Sequence, residues 1–577
     1  MARRRTPWAS ERMIGALVPW INAAVFLAIL LALASLLSRY MQAVFEGRLR
    51  LWGERAMYRI CGIDPEREMG WAQYTLAALI FSLVTTLAAY AILRTQHWHG
   101  HFFNPQGFPN VGPWIAWNTA VSFVTTTDWQ FYGGENTMSY LSQMAALAWL
   151  NFVAGAVGLA AGVAAIRGFA RRNATTLGNF WVDTVRSLFY VLLPLCALFG
   201  LLYASQGIPQ NFARYLGATN AQGFTQSLTG GPMASQEAPK LIGGNGGGFV
   251  GANSASPNEN PNGVSNLFEL LAIWLIPAAF PLLFGRMIGN RRAGSALLVA
   301  MLILAAASFA GAQFAERAGN PIVHALGVAG GNMEGKEVRF GVANAGLSLA
   351  VATDSGTGSS NFAYDSLTPL GGFFALLNLE LAEIVFGGVG SGLYGMLVFA
   401  ILTVFLAGLM VGRTPEYLGK KIERREVQLA MLAILIFPCM ILFATALAVV
   451  LPAGKATLAN AGPHGFTEIL YAFTSSAANN GSAFAGLGAN VFYDVALGLV
   501  MLGGRFLVLI PTLALAGSLA ARPTNDLAHA GTFQTDNALF IALLVGVILL
   551  VGAITFLPAD LLGPIVEHFE MLRGITF

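Results

Sequence analysis

Charge is scarce in this sequence. Only 11% of its 577 residues are Asp, Glu, Lys or Arg, against about 25% in soluble domains. With 55% hydrophobic residues and a mean hydropathy of +0.62, that shortage excludes disorder and argues against a soluble enzyme of this length. It fits a chain whose main solvent is lipid. The net charge of +3 gives no compositional support to a nucleic-acid surface. Cysteine is nearly missing: Cys61, Cys196 and Cys439 are scattered, with neither metal-ligand spacing nor a disulfide framework. Also lacking is a Gly-rich phosphate loop ending in Lys-Ser or Lys-Thr; the run from Gly412 to Lys421 has the wrong spacing. No polar segment is long enough for a nucleotide-binding domain, so the chain is expected to bind no nucleotide and not to hydrolyse ATP alone.

Glycine, by contrast, is abundant, with 66 residues. Part of that serves close helix packing in lipid. Apolar runs of membrane length fall at 14–37, 73–93, 140–166, 187–204, 265–285, 293–314, 395–412, 427–451, 495–520 and 537–557. They predict an all-α polytopic membrane protein of about ten transmembrane helices. A further apolar stretch, 366–388, is broken by Gly371, Gly372 and Glu383. The first run follows Arg3, Arg4 and Arg5 but is too long for a signal peptide core, and it reads as a retained helix.

Two kinds of connection alternate between the spans. Segments 38–72, 167–186, 286–292 and 413–426 are basic. The others are longer, rich in Gly, Asn, Ser and Thr, and poor in Lys and Arg; segment 101–138 has neither. The positive-inside rule places the basic loops in the cytoplasm. Alternation then puts the N-terminus outside, against its own arginines.

Four of the outer segments repeat one plan of span, half-helix, polar loop and span. Their loops are Val121–Gln130, Ala234–Phe249, Leu349–Asn361 and Tyr471–Phe484. Identity between them is low, so the plan repeats rather than the letters. Irregular backbone at membrane depth must line a pore or be buried in protein. Four such loops around one axis can present carbonyl and hydroxyl oxygens that replace the water around a cation. The half-helices would aim their negative C-terminal ends at it. Oxygen ligands with almost no carboxylate favour a large monovalent ion over a divalent one. Residue physics alone leaves a channel, an ion-coupled transporter or one subunit of a pump open; an organic-solute transporter lacks the mid-depth aromatic and charged groups it would want.

Several stretches carry a family resemblance: Asn118–Thr125, Ala234–Ala238, Asn245–Phe249, Phe386–Met396, Gly412–Lys421, Ala477–Gly486 and Gly504–Phe506. Here the chain resembles the KdpA family, the potassium-binding subunits of bacterial potassium-importing Kdp complexes, over nearly its whole length. The resemblance implies four fused channel-like units around a pseudo-fourfold pore, in a multi-pass protein of the bacterial inner membrane. The implied division is 1–72 for an extra helix and cytoplasmic loop, 73–170, 171–290, 291–425 and 426–522 for the pore units, and 523–577 for a last helix. It implies a K+ selectivity filter of Thr125, Thr126 and Thr127, Asn245, Gly246 and Gly247, Gly356, Thr357 and Gly358, and Asn479, Asn480 and Gly481. It also implies an obstructing intramembrane loop containing Gly387, Gly388 and Gly390, and an arginine, Arg505, below the filter. Thr126, Asp128 and the run Gly356-Thr357-Gly358 depart from the family's usual residues, each keeping an oxygen near the ion. The implied partners are an ATP-hydrolysing P-type subunit, KdpB, with KdpC and KdpF, in a lipid bilayer. The competing reading is a stand-alone potassium transporter gated by a cytoplasmic protein.

Other polar residues read two ways. Asp128, Glu135 and Asp354 either draw cations to a mouth or lie on solvated loops. Glu383, a carboxylate in an apolar run, is either functional or paired with an arginine. Arg505 either faces the pore or bridges to Glu383. His97, His99 and His101 alternate as a metal site or an interfacial cluster.

Overall fold

The computed structural model describes residues 7–50, 53–381, 384–412, 414–524 and 533–575, and side chains from residue 17 onward. Arg3, Arg4 and Arg5, Glu383 and Arg413 lie outside the described residues, and so do the readings that rest on them.

The described chain is mostly helical. In order, its main helices are α1 (Pro7–Phe45), α2 (Trp71–Arg94), α3 (Pro113–Val124), α4 (Ser142–Ala170), α5 (Phe180–Ser205) and α6 (Met233–Ile242). They continue with α7 (Gly263–Met287), α8 (Arg291–Ala318), α9 (Gly341–Thr353), α10 (Pro369–Glu380), α11 (Ser391–Val411) and α12 (Arg424–Val450). The last four are α13 (Gly462–Ala478), α14 (Val491–Ala520), α15 (Ala538–Asp560) and α16 (Val566–Leu572). Among the described residues, ten helical segments are long and apolar enough to cross a membrane, as composition leads one to expect. The only strands among the described residues form two small antiparallel pairs, β1 (Leu216–Thr219) with β2 (Thr225–Leu228), and β3 (Glu416–Tyr417) with β4 (Lys420–Lys421).

Asparagine marks where many membrane helices begin. The side chains of Asn179, Asn262, Asn290, Asn490 and Asn537 accept hydrogen bonds from the first-turn amides of α5, α7, α8, α14 and α15. Each supplies an acceptor that a helix start otherwise lacks.

The helices repeat as span, short helix, loop and span: α2–α3–α4, α5–α6–α7, α8–α9 with α10 and α11, and α12–α13–α14. The third unit differs, because its second span is broken between α10 and α11. Residues 384–390 there are non-helical and buried. Helix α4 lies deepest, and small residues let its neighbours approach: a β-carbon at Gly168 would stand 2.5 Å from the β-carbon of Ala516 in α14. Such backbone proximity is how helices associate where lipid offers no hydrophobic drive.

The basic loops gather at one end of the bundle. Arg167 pairs with the buried Asp183 at 2.5 Å, and Tyr74 Oη donates to the same carboxylate at 2.9 Å. The buried Lys420 Nζ donates to the carbonyls of Gly168 at 3.0 Å and Leu519 at 2.8 Å. It thereby caps the C-terminal ends of α4 and α14, where a cation is favoured. At the opposite end, His99 Nδ1 meets Ser139 Oγ at 2.9 Å while His97 and His101 are exposed. The three histidines do not form a metal-binding group.

Candidate ion-binding site

Helices α3, α6, α9 and α13 each end at a polar loop. The helix-capping residues are Thr125, Gly243, Asp354 and Asn479, so all four negative helix ends meet the loops directly. Thr126 and Asn479 hold left-handed backbone at φ +64° and +56° without being glycine, while Gly246 and Gly481 hold +113° and +87°. An L-residue resists that region; the threonine and asparagine are held there by bonds to their neighbours. The Thr126 hydroxyl donates to the Thr125 carbonyl at 2.5 Å. Asn479 Nδ2 donates to Thr127 Oγ1 and to the Met501 carbonyl, each at 3.0 Å.

The loops touch in chain order and close on themselves. A β-carbon on Gly246 in the second loop would collide with the amide of Gly358 in the third. One on Gly358 would collide with the Asn480 carbonyl of the fourth, and one on Gly481 with the Thr127 carbonyl of the first. One on Gly247 would come within 2.8 Å of the Asp128 β-carbon, joining first to second. Hydrogen bonds follow the same circuit. The Gly358 amide donates to the Asn245 carbonyl at 3.3 Å. Asn480 Nδ2 donates to the carbonyls of Ala352 at 2.8 Å and Ser355 at 2.7 Å, and the Gly247 amide donates to Asp128 Oδ2 at 3.1 Å. The twelve residues that the family resemblance implies lie in these four loops, and Thr127, Asn245, Gly246, Gly247, Thr357, Gly358, Asn479, Asn480 and Gly481 take part in the contacts between them. Thr125, Thr126, Thr127, Asn245, Gly246, Gly247, Gly356, Thr357, Asn479 and Asn480 are buried, and Gly358 and Gly481 are half-buried.

The ring separates two spaces. On the side away from the basic loops a cavity of about 670 Å³ is lined by Gly246, Gly358, Gly481 and Asp128 among others. On the opposite side a pocket of about 70 Å³ is lined by Asn479, Gly504 and Arg505 among others. Arg505 is buried at 6% exposure, and its Nη2 donates to the Ala154 carbonyl of α4 at 3.3 Å. Gly387 and Gly390 have left-handed φ of +63° and +88° in the break between α10 and α11. The amides of Phe386 and Gly387 both donate to the Asp354 carbonyl at 3.0 Å, and Phe386 stacks on Trp274 of α7 with ring centroids 4.0 Å apart. A β-carbon on Gly244 would approach Val389 Cγ2 to 2.9 Å. The broken segment, with Gly388 inside it, is thus wedged against the second and third loops.

Of the residues that read two ways, Asp128 and Asp354 are buried rather than on solvated loops. Asp128 braces the second loop, and Glu135 accepts from the Gly251 amide at 2.7 Å. Sequence reading missed the support behind the second loop. Lys240 Nζ pairs with Glu237 at 2.7 Å and Glu259 at 2.9 Å, all three buried, and donates to Asn253 Oδ1 at 2.9 Å. Asn253 Nδ2 in turn donates to the Gly246 carbonyl at 2.6 Å. Lys240 in a short helix facing the core was the available signal; nothing local marks Glu259 or Asn253.

Comparison with known proteins bears on this arrangement. A curated potassium-transporting ATPase potassium-binding subunit from Mesorhizobium japonicum is 52% identical over 566 residues, covering 97% of this chain and 99% of that protein. One of the same description from Solibacter usitatus is 53% identical, covering 96% and 98%. The crystal structure of the potassium transporter TrkH from Vibrio parahaemolyticus shares the fold, with a TM-score of 0.50 and 14% identity over 83% of this chain and 96% of that one. The KdpA family, described as the potassium-transporting ATPase A subunit, matches residues 24–569. A multi-pass bacterial membrane protein with four loops closed in this order, and matched along almost its full length, belongs to the KdpA family.

Proposed function

We propose that this chain takes K+ from the outer side into the ring of four loops and passes it to an ATP-hydrolysing partner for import. The observation that supports this reading best is the closed ring between an outer cavity and a small inner pocket. A dehydrated K+ needs several oxygen dipoles at once, and the loops are rich in carbonyls and hydroxyls with four helix C-termini behind them. The second loop is braced through Asn253 and Gly358, which favours a preformed site. In this reading Thr125 to Thr127, Asn245 to Gly247, Gly356 to Gly358 and Asn479 to Gly481 make the filter.

Below the filter, Arg505 places a positive charge in the inner pocket and discourages a cation from crossing straight to the cytoplasm. The wedged segment with Gly387, Gly388 and Gly390 obstructs the same route. The ion therefore leaves sideways, toward a P-type ATPase subunit, KdpB, which is phosphorylated by ATP, with KdpC and KdpF completing the assembly. The curated relatives are named as subunits of a potassium-transporting ATPase, which supports a non-hydrolysing role here. Co-expression with the neighbouring ATPase subunits tests the reading. A stable assembly whose ATP turnover is stimulated by K+ is expected. A chain that purifies alone and conducts K+ without any ATPase would overturn it.

A further inference from the structure

Away from the ring, at the outer end of the bundle, a second group of side chains converges. Asp365 belongs to the turn before α10, His464 and Glu468 to the first turns of α13, and Glu567 to α16. His464 and Glu468 are four residues apart, so they share one helix face. The ligand atoms of Asp365, His464 and Glu468 all lie within 4.8 Å of one another.

We propose that Asp365, His464 and Glu468 form a binding site for one divalent transition-metal ion of zinc-like preference, with Glu567 orienting the imidazole. Three observations point to it. First, His464 Nε2 faces Asp365 Oδ1 at 3.2 Å while its Nδ1 lies 2.8 Å from Glu567 Oε1. Without an ion both ring nitrogens face carboxylates; an ion taken up at Nε2 beside Asp365 would leave Nδ1–H on Glu567, the arrangement that fixes metal-binding histidines. Second, Glu468 is 1% exposed, and its Oε2 has no hydrogen-bond partner. Its Oε1 accepts from Asn460 Nδ2 at 2.7 Å, which holds the carboxylate in place. A buried carboxylate oxygen without a donor is costly unless a cation satisfies it. Third, Asp365 and His464, though not the buried Glu468, line a cavity of about 230 Å³ together with Glu567, which gives an ion and its remaining water ligand a way to those two groups.

Binding requires the group to tighten. Zinc bonds to nitrogen and carboxylate oxygen are about 2.0–2.2 Å, so ligand atoms on a tetrahedral ion stand about 3.4 Å apart. His464 Nε2 and Asp365 Oδ1, at 3.2 Å, already stand near that spacing, and a pair as wide as 4.8 Å must close by about 1.4 Å. One nitrogen and two carboxylate oxygens, with a position left for water, match zinc or cobalt better than calcium, which takes six to eight oxygens. The bound ion would tie the third unit, the fourth pore helix and the C-terminal helix together. This proposal is independent of the ion path through the ring.

The test uses the full chain in detergent, stripped with chelator, with Cys61, Cys196 and Cys439 replaced by serine and His97, His99 and His101 by glutamine. Cobalt(II) is titrated and displaced with zinc(II). One equivalent of cobalt should bind with visible absorption bands and be displaced by zinc. His464→Gln and Glu468→Gln should each weaken binding at least about 100-fold, and Glu567→Gln by about 10–100-fold. Each variant is first checked for a monodisperse elution profile, and Glu468→Gln stands in if His464→Gln fails that check. No stoichiometric binding by the parent, or binding unchanged in a well-folded His464→Gln or Glu468→Gln variant, would overturn the proposal.

Discussion

Replacing Gly481 by alanine separates two costs that the ring imposes on one residue. Gly481 has φ +87°, and an added β-carbon would collide with the Thr127 carbonyl oxygen of the first loop. The left-handed backbone alone costs an L-residue roughly 1–2 kcal/mol, and the collision adds to it because the obstacle is backbone. Relief comes from leaving the ring conformation, so the population able to bind falls. Each 1.4 kcal/mol is about tenfold, and the apparent dissociation constant rises as the competent fraction shrinks. The half-saturating K+ concentration should therefore rise about 10- to 100-fold. It can be read from K+-dependent thermal unfolding of the purified chain and from K+-stimulated ATP turnover of the assembly. Gly223 supplies the control. It also has φ +87°, in the β1–β2 turn, but an added β-carbon there meets nothing within 4 Å. Gly223→Ala carries the same local strain far from the ring and should leave K+ dependence unchanged. A natively folded Gly481→Ala protein with wild-type K+ dependence would refute the role given to the fourth loop.

Three more outcomes are expected. Arg505→Met should leave the fold intact and let K+ leak or ATP use proceed without transport; wild-type transport per ATP would remove the arginine from the ion path. Single cysteines in 413–426 should be protected from an impermeant reagent outside intact cells, and ones near Gly133 and Pro463 should be labelled; the reverse pattern would invert the topology. Hydrogen bonding to Arg171, which outweighs burial and is aided by Thr176, holds the Glu68 carboxyl down at about 2 from 4.5. Its contribution to stability is thus full above about pH 4.5 and is lost as pH falls through about 2. Glu68→Gln should flatten that part of the acid-unfolding curve, and an unchanged curve would show that the pair at 2.6 Å is fully screened by solvent.

Spans, loop alternation and the four repeated polar segments were legible in the sequence because lipid enforces them locally. A helix that must satisfy its own backbone in hydrocarbon needs a long apolar run, and a polar loop between paired runs stands out against it. The family motifs carried the twelve ring residues for the same reason, since each set is contiguous at a helix end. What the sequence could not show was which loop touches which. The contact of Gly481 with Thr127 joins residues more than three hundred positions apart, and only packing of the four units decides it. Asp128 and Asp354 look like loop carboxylates in one dimension, yet tertiary packing buries both. Asn253 and Glu259 carry no local signal, and they matter because Lys240 reaches them across a turn in the fold. His464 and Glu468 announce a shared helix face by their spacing of four. Their meeting with Asp365 and Glu567 depends on three separate elements packing together. Sequence fixes what a short stretch must do in its own solvent; the approach of distant side chains is set by how whole helices pack.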